Sequence, residues 1–185
     1  MIDEGRYQNA LAFATKKHAG QFRIGGLAYI THPVGVAGIV RQKGGDTDAV
    51  ITALFHDLLE DTDATEEEIR ELGNEKILHA VKLLTKRKNT VMRDYVDGIR
   101  KDRTAFLVKG ADRLHNLRSA VCADNAFKRR YISETIDWYL DFLPEIPPAV
   151  KALAQTLDGP PGDLPFLSDP AEDGKTPNPQ KTEKI

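Results

Sequence analysis

The chain has 185 residues, of which 41% are hydrophobic and 29% charged, the composition of one soluble globular domain with some additional chain. No apolar run approaches the ~18 residues of a membrane span, the acidic N-terminus is unlike a secretory signal, and the single cysteine excludes an internal disulfide or a CxxC zinc site. The net charge of −2 excludes a broad basic surface for nucleic acid, so we predict a cytoplasmic protein that binds small molecules rather than membrane or nucleic acid.

The first two predicted helices flank a glycine-rich loop. Leu11, Ala14 and His18 recur at intervals of three and four residues, which is the spacing of one helix face. The segment GQFRIGGLAYI follows and predicts a loop because of its glycines. Thr31 is predicted to cap a second helix, which ends at the next glycine pair.

A third helix is predicted from the capping residue Asp46 to about Glu60. Its first half contains AVITALF, which is apolar on nearly every side, as in helices buried in a core. The overlapping segment ALFHDLLEDT adds four ionisable side chains: His56, Asp57, Glu60 and Asp61. An isolated carboxylate is strongly destabilising in such surroundings, so these charges require partners or a metal ion.

Helical patterns continue through the rest of the first 157 residues. Thr65 followed by Glu68 forms a capping box that opens a short helix. Further helices are predicted over residues 75–84, 91–100, 104–120 and 126–143, the last ended by Pro144, Pro147 and Pro148. The predicted fold is therefore all-α, a domain of seven to eight helices in residues 1–157. Residues 158–185 hold six of the ten prolines and are predicted to form a disordered tail.

The charged positions of the third helix suggest a metal site. Residues four apart lie on one helix face, so His56 and Asp57 are each followed by an acid one turn later. His32 opens the second helix, and Asp112 lies beside the apolar stripe of a later one. Two imidazoles and two carboxylates suit a hexacoordinate Mn²⁺, Fe²⁺ or similar ion, whereas structural zinc sites more often use cysteine. The alternative is a buried hydrogen-bond network without a metal.

These residues lie in longer motifs: HAGQFR (18–23), AYITHP (28–33), ALFHDLLEDT (53–62), TK (85–86) and KGADRLHNLR (109–118). The order of His32, the His56–Asp57 pair and Asp112 resembles the ligand order of HD-domain metal-dependent phosphohydrolases. Over residues 8–143, the motifs together resemble the hydrolase domain of the RelA/SpoT family, above all its free-standing small alarmone hydrolases. The resemblance implies an HD-domain helical bundle.

The resemblance also implies an activity, the Mn²⁺-dependent hydrolysis of ppGpp or pppGpp to GDP or GTP and pyrophosphate. It implies four metal ligands: His32, His56, Asp57 and Asp112. Glu60 and Asp61 match an acidic pair that activates the attacking water. Asn116 matches a residue near the nucleotide sugar, and Arg23 matches an arginine that packs against the base. The residues agree with this chemistry, because a bound ion lowers the pKa of water and a nearby carboxylate can accept its proton.

Further substrate contacts are predicted from polar and basic residues around these motifs. Ser119 follows Asn116 on the same polar line of its helix. Lys88 and Arg130 lie in basic clusters suited to the phosphates of a polyanionic substrate. Ile24 replaces a lysine of the RelA/SpoT pattern, which leaves the choice between guanine and adenine alarmones open.

Two other functions stay open from the sequence. An HD phosphatase acting on NADPH or a nucleoside monophosphate would keep the metal site and change the substrate. A catalytically silent domain would bind a nucleotide and regulate a partner. The acidic pair favours the enzyme, because a domain that only binds has no need to activate water. Fe²⁺, Co²⁺ and Zn²⁺ are alternatives to Mn²⁺, and the sequence leaves oligomerisation open.

Overall fold

The computed structural model describes residues 1–157. These residues contain ten α-helices, and their strand-like pairing is limited to an isolated bridge between Phe22 and Ala28. The predicted all-α class is therefore confirmed. Within the described part of the chain, every helix is too short or too polar to cross a membrane. The disordered tail predicted for residues 158–185 lies outside the described residues.

The helices form a bundle around a buried central helix. In chain order they are α1 (Glu4–Lys17), α2 (Thr31–Gln42), α3 (Thr47–Phe55), α4 (Leu58–Asp61), α5 (Glu66–Leu72), α6 (Glu75–Leu84), α7 (Met92–Arg100), α8 (Arg103–Ser119), α9 (Asn125–Trp138) and α10 (Ile146–Ala154), with a 3₁₀ turn at Ala120–Cys122. Helix α3 packs against α1, α2, α6 and α8. Its residues from Ala49 to Phe55 are all buried, as its apolar sequence predicts. The packing of α2, α3 and α8 on one another positions the site.

Side-chain caps determine where several helices begin. Asp46 caps α3 by accepting a main-chain hydrogen bond at 2.9 Å, and Thr65 and Glu68 form the predicted capping box of α5. The prediction that Thr31 caps α2 is wrong. Thr31 is the first helical residue, and its hydroxyl donates to the carbonyl of Ala28 at 2.7 Å, so it joins the preceding loop to the helix.

The helix predicted to run to Glu60 is divided in two. Helix α3 ends at Phe55 and α4 begins at Leu58, so His56 and Asp57 occupy the break between them. The prediction of one continuous helix is therefore wrong. Adjacent side chains of a regular helix point ~100° apart, whereas the turn at this break lets the two side chains converge on one point.

A further helix lies beyond the last one predicted, and it contains two of the three prolines that were expected to end the helix over residues 126–143. Pro147 and Pro148 lie in the first turn of α10, where proline is tolerated because its missing N–H has no helical acceptor. Helix α10 buries Val150 and Leu153 and packs against α8 and α9. This helix and the divided third helix bring the number of helices above the seven to eight predicted.

Candidate functional site

Three packed helices bring the four predicted metal ligands together. His32 is the second residue of α2, His56 and Asp57 lie in the break between α3 and α4, and Asp112 lies in the second half of α8. His32, His56 and Asp112 are 1%, 2% and 5% exposed. The atoms that could bind a metal are therefore removed from bulk water. An unpaired charge in such a buried position would be strongly destabilised.

The polar atoms of these side chains converge on one point. The Nε2 atoms of His32 and His56 are 3.2 Å apart. Asp57 Oδ2 lies 3.1 Å from His56 Nε2 and 3.6 Å from His32 Nε2, and Asp112 Oδ1 lies 3.2 Å and 3.8 Å from Nε2 of His32 and His56. Adjacent ligands of one octahedral ion are about 3 Å apart when each bond is about 2.1 Å. These distances fit a single divalent metal ion, and the ligand atoms of His32, His56 and Asp57 all lie within 4.8 Å of one another.

Hydrogen bonds on the far side of each imidazole direct its Nε2 toward the cluster. His56 Nδ1 lies 2.7 Å from the carbonyl oxygen of Ala53. Because a carbonyl only accepts, His56 Nδ1 carries a proton, which leaves Nε2 as the ligand atom of the neutral imidazole. His32 Nδ1 lies 3.0 Å from Nδ1 of His115. That histidine packs against Gly35, where a Cβ atom would come within 2.2 Å of His115 Nε2. Such partners fix the orientation of metal-binding histidines.

The electrostatics of the cluster favour a positive charge at its centre. Burial lowers the pKa of His56, but the charges and hydrogen bonds of Asp57 and Asp112 together outweigh burial and raise this pKa to about 10. Burial raises the pKa of Asp112, but the charge of Lys109 and hydrogen bonds with the histidines hold it well below its usual value. A divalent ion at this point would offset the charges of the two ionised carboxylates. A bound metal ion would therefore account for the charges within the apolar segment ALFHDLLEDT.

Three polar side chains support the two carboxylates. Tyr29 OH donates to Asp57 Oδ2 at 2.6 Å. Asp112 accepts hydrogen bonds from Lys109 Nζ and Asn116 Nδ2, each at 2.8 Å. Sequence reasoning missed Tyr29 and Lys109 as part of the site. Both lie within quoted motifs, AYITHP and KGADRLHNLR, so an examination of every polar residue in those motifs could have found them.

The predicted acidic pair lies on α4, directly after the ligands. Glu60 is exposed and lines a cleft that also borders Asp57 and Asp112. Its Oε2 accepts a hydrogen bond from the main-chain amide of Lys86 at 3.0 Å. Asp61 is half-buried at the end of α4 and, among the described residues, is not part of the cleft lining. Glu60 therefore lines the cleft, whereas Asp61 lies next to it on α4 but outside the cleft lining of the described residues.

The cleft is lined by three cationic side chains, Lys86, Lys109 and Arg113. Arg113 is 4% exposed, and its guanidinium lies 4.2 Å and 4.1 Å from the ring centres of Tyr131 and Tyr139. Glu134 Oε1 lies 3.2 Å from Arg113 Nη2 and 3.7 Å from Lys86 Nζ. Cations held in this way suit the binding of phosphate groups.

The predicted substrate contacts fall into two groups. Asn116 lines the cleft, and Arg23, 7% exposed, donates from Nη2 to Asn116 Oδ1 at 3.1 Å. Ser119 lies one turn further along α8, where its hydroxyl donates to a main-chain carbonyl at 2.9 Å. Lys88 and Arg130 are exposed and, within residues 1–157, are not part of the cleft lining. Their contacts with phosphate stay predictions.

A comparison with protein families identifies this arrangement. The HD domain model matches residues 10–142, a range that contains the four predicted ligands and the predicted acidic pair. The chain belongs to the HD domain family. The resemblance to this family that the motifs suggested is thereby confirmed.

Curated relatives match about two thirds of this chain. A Haemophilus influenzae protein named guanosine-3′,5′-bis(diphosphate) 3′-pyrophosphohydrolase is 39% identical over 137 residues. A Myxococcus xanthus protein named GTP pyrophosphokinase is 34% identical over 146 residues. These matches cover 68% and 71% of this chain. The chain spans only 20% and 19% of the length of these two relatives.

A solved structure shares the fold over most of the HD domain. It is described as a metazoan orthologue of SpoT that hydrolyses ppGpp and plays a role in starvation responses. The two structures superpose with a TM-score of 0.68 at 21% sequence identity, and the match covers 84% of this chain and 97% of the other. At this identity the likeness shows the fold alone, and it confirms the predicted HD-domain bundle.

Proposed function

We propose that residues 1–157 form a Mn²⁺-dependent 3′-pyrophosphohydrolase of (p)ppGpp-type alarmones. The products are GDP or GTP, or their adenine counterparts, and pyrophosphate. The observation that carries the proposal is that one cleft borders a cluster able to hold a metal, the carboxylate of Glu60 and three cationic side chains. The name of the Haemophilus influenzae relative supports the substrate class, and such a substrate is consistent with the predicted cytoplasmic location.

The proposed metal ligands are His32, His56, Asp57 and Asp112. Their mixed nitrogen and oxygen atoms suit Mn²⁺, whereas thiolate ligands would favour softer metals. When bound, the ion supplies a Lewis acid that lowers the pKa of water and offsets phosphate charge. Tyr29 and Lys109 hold the two carboxylates in position through hydrogen bonds of 2.6 Å and 2.8 Å, so the site is organised before a substrate arrives.

Glu60 and Asp61 are proposed to orient the attacking water and accept its proton. The amide of Lys86 fixes the Glu60 carboxylate at the cleft. General-base catalysis by a positioned carboxylate contributes typically about 10²–10⁴-fold to a rate. As water attacks the phosphorus next to the sugar, the bond from phosphorus to the 3′-oxygen breaks. The 3′-oxygen takes up a proton, and pyrophosphate leaves.

The cations of the cleft are proposed to bind the 3′-pyrophosphate. Lys109 and Arg113 approach from α8 and Lys86 from the loop between α6 and α7. Hydrogen bonds from charged donors to phosphate are about twice as strong as neutral ones. Arg113 is held between two tyrosine rings, so binding a phosphate requires little further ordering of its side chain.

The nucleoside is proposed to lie against the loop between α1 and α2. Arg23 and Asn116 are hydrogen-bonded to each other beside the metal cluster, and Ser119 continues this polar line along α8. Ile24, 44% exposed next to Arg23, is proposed to influence the choice of base. Lys88 and Arg130 are proposed to contact the outer phosphates.

Product analysis by anion-exchange chromatography tests this function. Purified protein, with and without Mn²⁺, is given ppGpp, pppApp, NADPH and a deoxynucleoside monophosphate in parallel. We expect Mn²⁺-dependent release of GDP and pyrophosphate from ppGpp. Turnover of NADPH or the monophosphate alone would overturn the substrate class. No turnover by metal-loaded protein would instead indicate a domain that binds nucleotides without catalysis.

A further inference from the structure

The loop between α1 and α2, residues 18–30, contacts three separate parts of the site. Three of its side chains donate hydrogen bonds: Gln21 Nε2 to the carbonyl oxygen of Asp61 at 2.8 Å, Arg23 Nη2 to Asn116 Oδ1 at 3.1 Å, and Tyr29 OH to Asp57 Oδ2 at 2.6 Å. Arg23 thus contacts Asn116, where the nucleoside is proposed to lie, and Tyr29 contacts the proposed metal ligand Asp57. Gln21 contacts α4, the helix that carries the acidic pair.

The Gln21 amide is held in one orientation by partners on both sides. A main-chain carbonyl only accepts hydrogen bonds, so the amide nitrogen must face Asp61. The amide oxygen then faces His18 Nδ1 at 2.8 Å, which places the imidazole proton on Nδ1. His18 Nε2 is buried and, within the described residues, has no hydrogen-bond partner, so Gln21 is the hydrogen-bond partner of this imidazole. His18 therefore orients Gln21, and Gln21 holds Asp61.

Helix α4 depends on such external contacts because it is very short. It spans four residues, Leu58–Asp61, and a helix of this length is not stable by itself in water. The carbonyl of Asp61 is one of those that a helix end leaves without an intrahelical donor. Gln21 supplies that donor from another part of the chain, while the Lys86 amide binds Glu60. Two separate loops thus fix the backbone and side chains of α4.

We propose that Gln21 is a positioning residue for hydrolysis, which acts by fixing the main chain at Asp61 and thereby the direction of the Asp61 carboxylate. The proposal rests on the proposed function, in which Asp61 helps to orient the attacking water. Gln21 makes its contact through a main-chain carbonyl and touches none of the four metal ligands in the hydrogen bonds of the described residues. Its loss should therefore change turnover without changing metal affinity.

A double-mutant cycle separates positioning from a merely structural role. Gln21→Met keeps the length of the side chain and removes both hydrogen bonds, and it is introduced into the wild-type and Asp61→Asn proteins. We expect kcat to fall roughly ten- to hundred-fold in the wild-type background, the range caused by small misplacements of reacting groups. KM and Mn²⁺ affinity should be unchanged. In Asp61→Asn protein, where the carboxylate is already absent, the same substitution should change kcat less than about twofold.

Thr52→Val serves as the matched control. Thr52 is fully buried in α3, and its hydroxyl donates to a main-chain carbonyl at 2.8 Å, so the variant also loses one such hydrogen bond. It should lower the Tm without changing kcat. An unchanged kcat in Gln21→Met, equal losses of kcat in both Asp61 backgrounds, or a loss explained by weaker Mn²⁺ binding would each overturn the proposal.

Hydrogen exchange distinguishes failure of this proposal from failure of the proposed function. Gln21→Met should speed amide exchange in residues 58–62, a readout that requires no substrate. Wild-type protein that hydrolyses no alarmone would overturn the proposed function, and with it the catalytic part of this inference. Unchanged exchange in residues 58–62 would show that Gln21 does not hold α4, whatever the substrate.

Discussion

The metal cluster and the acidic pair are neighbours in the chain but are supported by different kinds of structure. The cluster lies where the long helices α2, α3 and α8 pack together, and three of its ligands are at most 5% exposed. The acidic pair lies on the four-residue helix α4, which is tied to two loops by hydrogen bonds. The proposed metal site is therefore built into the core, whereas placement of the acids depends on a few contacts at its edge.

This contrast implies that metal binding and turnover can be separated by mutation. Changes within the cluster should remove both properties, because the metal is required for the chemistry. Changes on α4, or of the Gln21 side chain that holds it, should spare the metal and reduce turnover. The first three of the following predictions each test one side of this division, and the fourth tests base preference; they run from the largest expected effect to the smallest.

Loss of a ligand carboxylate should abolish metal binding and activity together. Asp57→Ala and Asp112→Ala each remove a charged metal ligand from a buried site. We therefore expect Mn²⁺ affinity to fall more than about 100-fold and turnover to fall to the background rate of the assay. Titration calorimetry with Mn²⁺ and the alarmone assay measure the two properties. Asp97→Ala, at an exposed position of α7, is the control. Normal Mn²⁺ affinity in either ligand variant would remove that residue from the metal site.

Neutralising the acidic pair should leave the metal bound and slow the reaction. In Glu60→Gln with Asp61→Asn, the groups that accept the proton of water are lost while the cluster keeps its ligands. We expect kcat to fall about 10²–10⁴-fold and the calorimetric Mn²⁺ affinity to stay unchanged. Asp63→Asn, just beyond α4 with its side chain 88% exposed, controls for the loss of a nearby charge. Full activity of the double variant would exclude the pair from catalysis.

Removing one supporting hydroxyl should weaken metal binding by an intermediate amount. Tyr29→Phe deletes the 2.6 Å hydrogen bond to Asp57 and keeps the ring that packs against His18 and His32. Loss of such a supporting hydrogen bond typically weakens metal affinity about 10–100-fold. Mn²⁺ titration of Tyr29→Phe and of the control Tyr7→Phe measures the effect. Equal affinities in the two variants would show that the hydroxyl does not support the ligand.

A substitution at an exposed position of the loop between α1 and α2 should have the smallest effect. It should change the preference for the base and leave the other properties unchanged. Ile24→Lys introduces a cation next to Arg23, and an exposed charge of this kind contributes about 1 kcal/mol or less. We expect the ratio of ppGpp to pppApp turnover to change by about two- to fivefold. Leu27→Lys, 64% exposed on the same loop, is the matched control. The same ratio in wild type and Ile24→Lys would remove Ile24 from base selection.

The sequence predicted the ligand-bearing elements well because their signals are local. The apolar run before His56 predicts a buried helix, and burial demands a partner for the charges that follow. The caps at Asp46 and Thr65 could be predicted for the same reason. Each capping side chain accepts a hydrogen bond from the main-chain amide three residues later in the chain. Motif order then added His32 and Asp112, which the packing of α2 and α8 against α3 brings to the same point.

The features that the sequence did not reveal depend on contacts between distant segments. The break at His56 and Asp57 has no glycine or proline to mark it. Whether Lys86 or Lys88 lines the cleft depends on the path of the loop that carries both. The sequence shows a cluster of basic residues there but does not distinguish one lysine from its neighbour. The hydrogen bond from Gln21 to Asp61 joins residues 40 positions apart, so no local spacing predicts it.

The central claim is that one buried metal ion offsets the charges of the Asp57 and Asp112 carboxylates. Anomalous diffraction from crystals of the Mn²⁺-loaded protein tests it. We predict a single anomalous peak about 2.2 Å from Nε2 of His32 and His56 and from carboxylate oxygens of Asp57 and Asp112. Crystals of Asp57→Asn protein should lose the peak. Protein that hydrolyses ppGpp while its crystals show no peak at this cluster, or show a peak elsewhere, would contradict the proposed metal site.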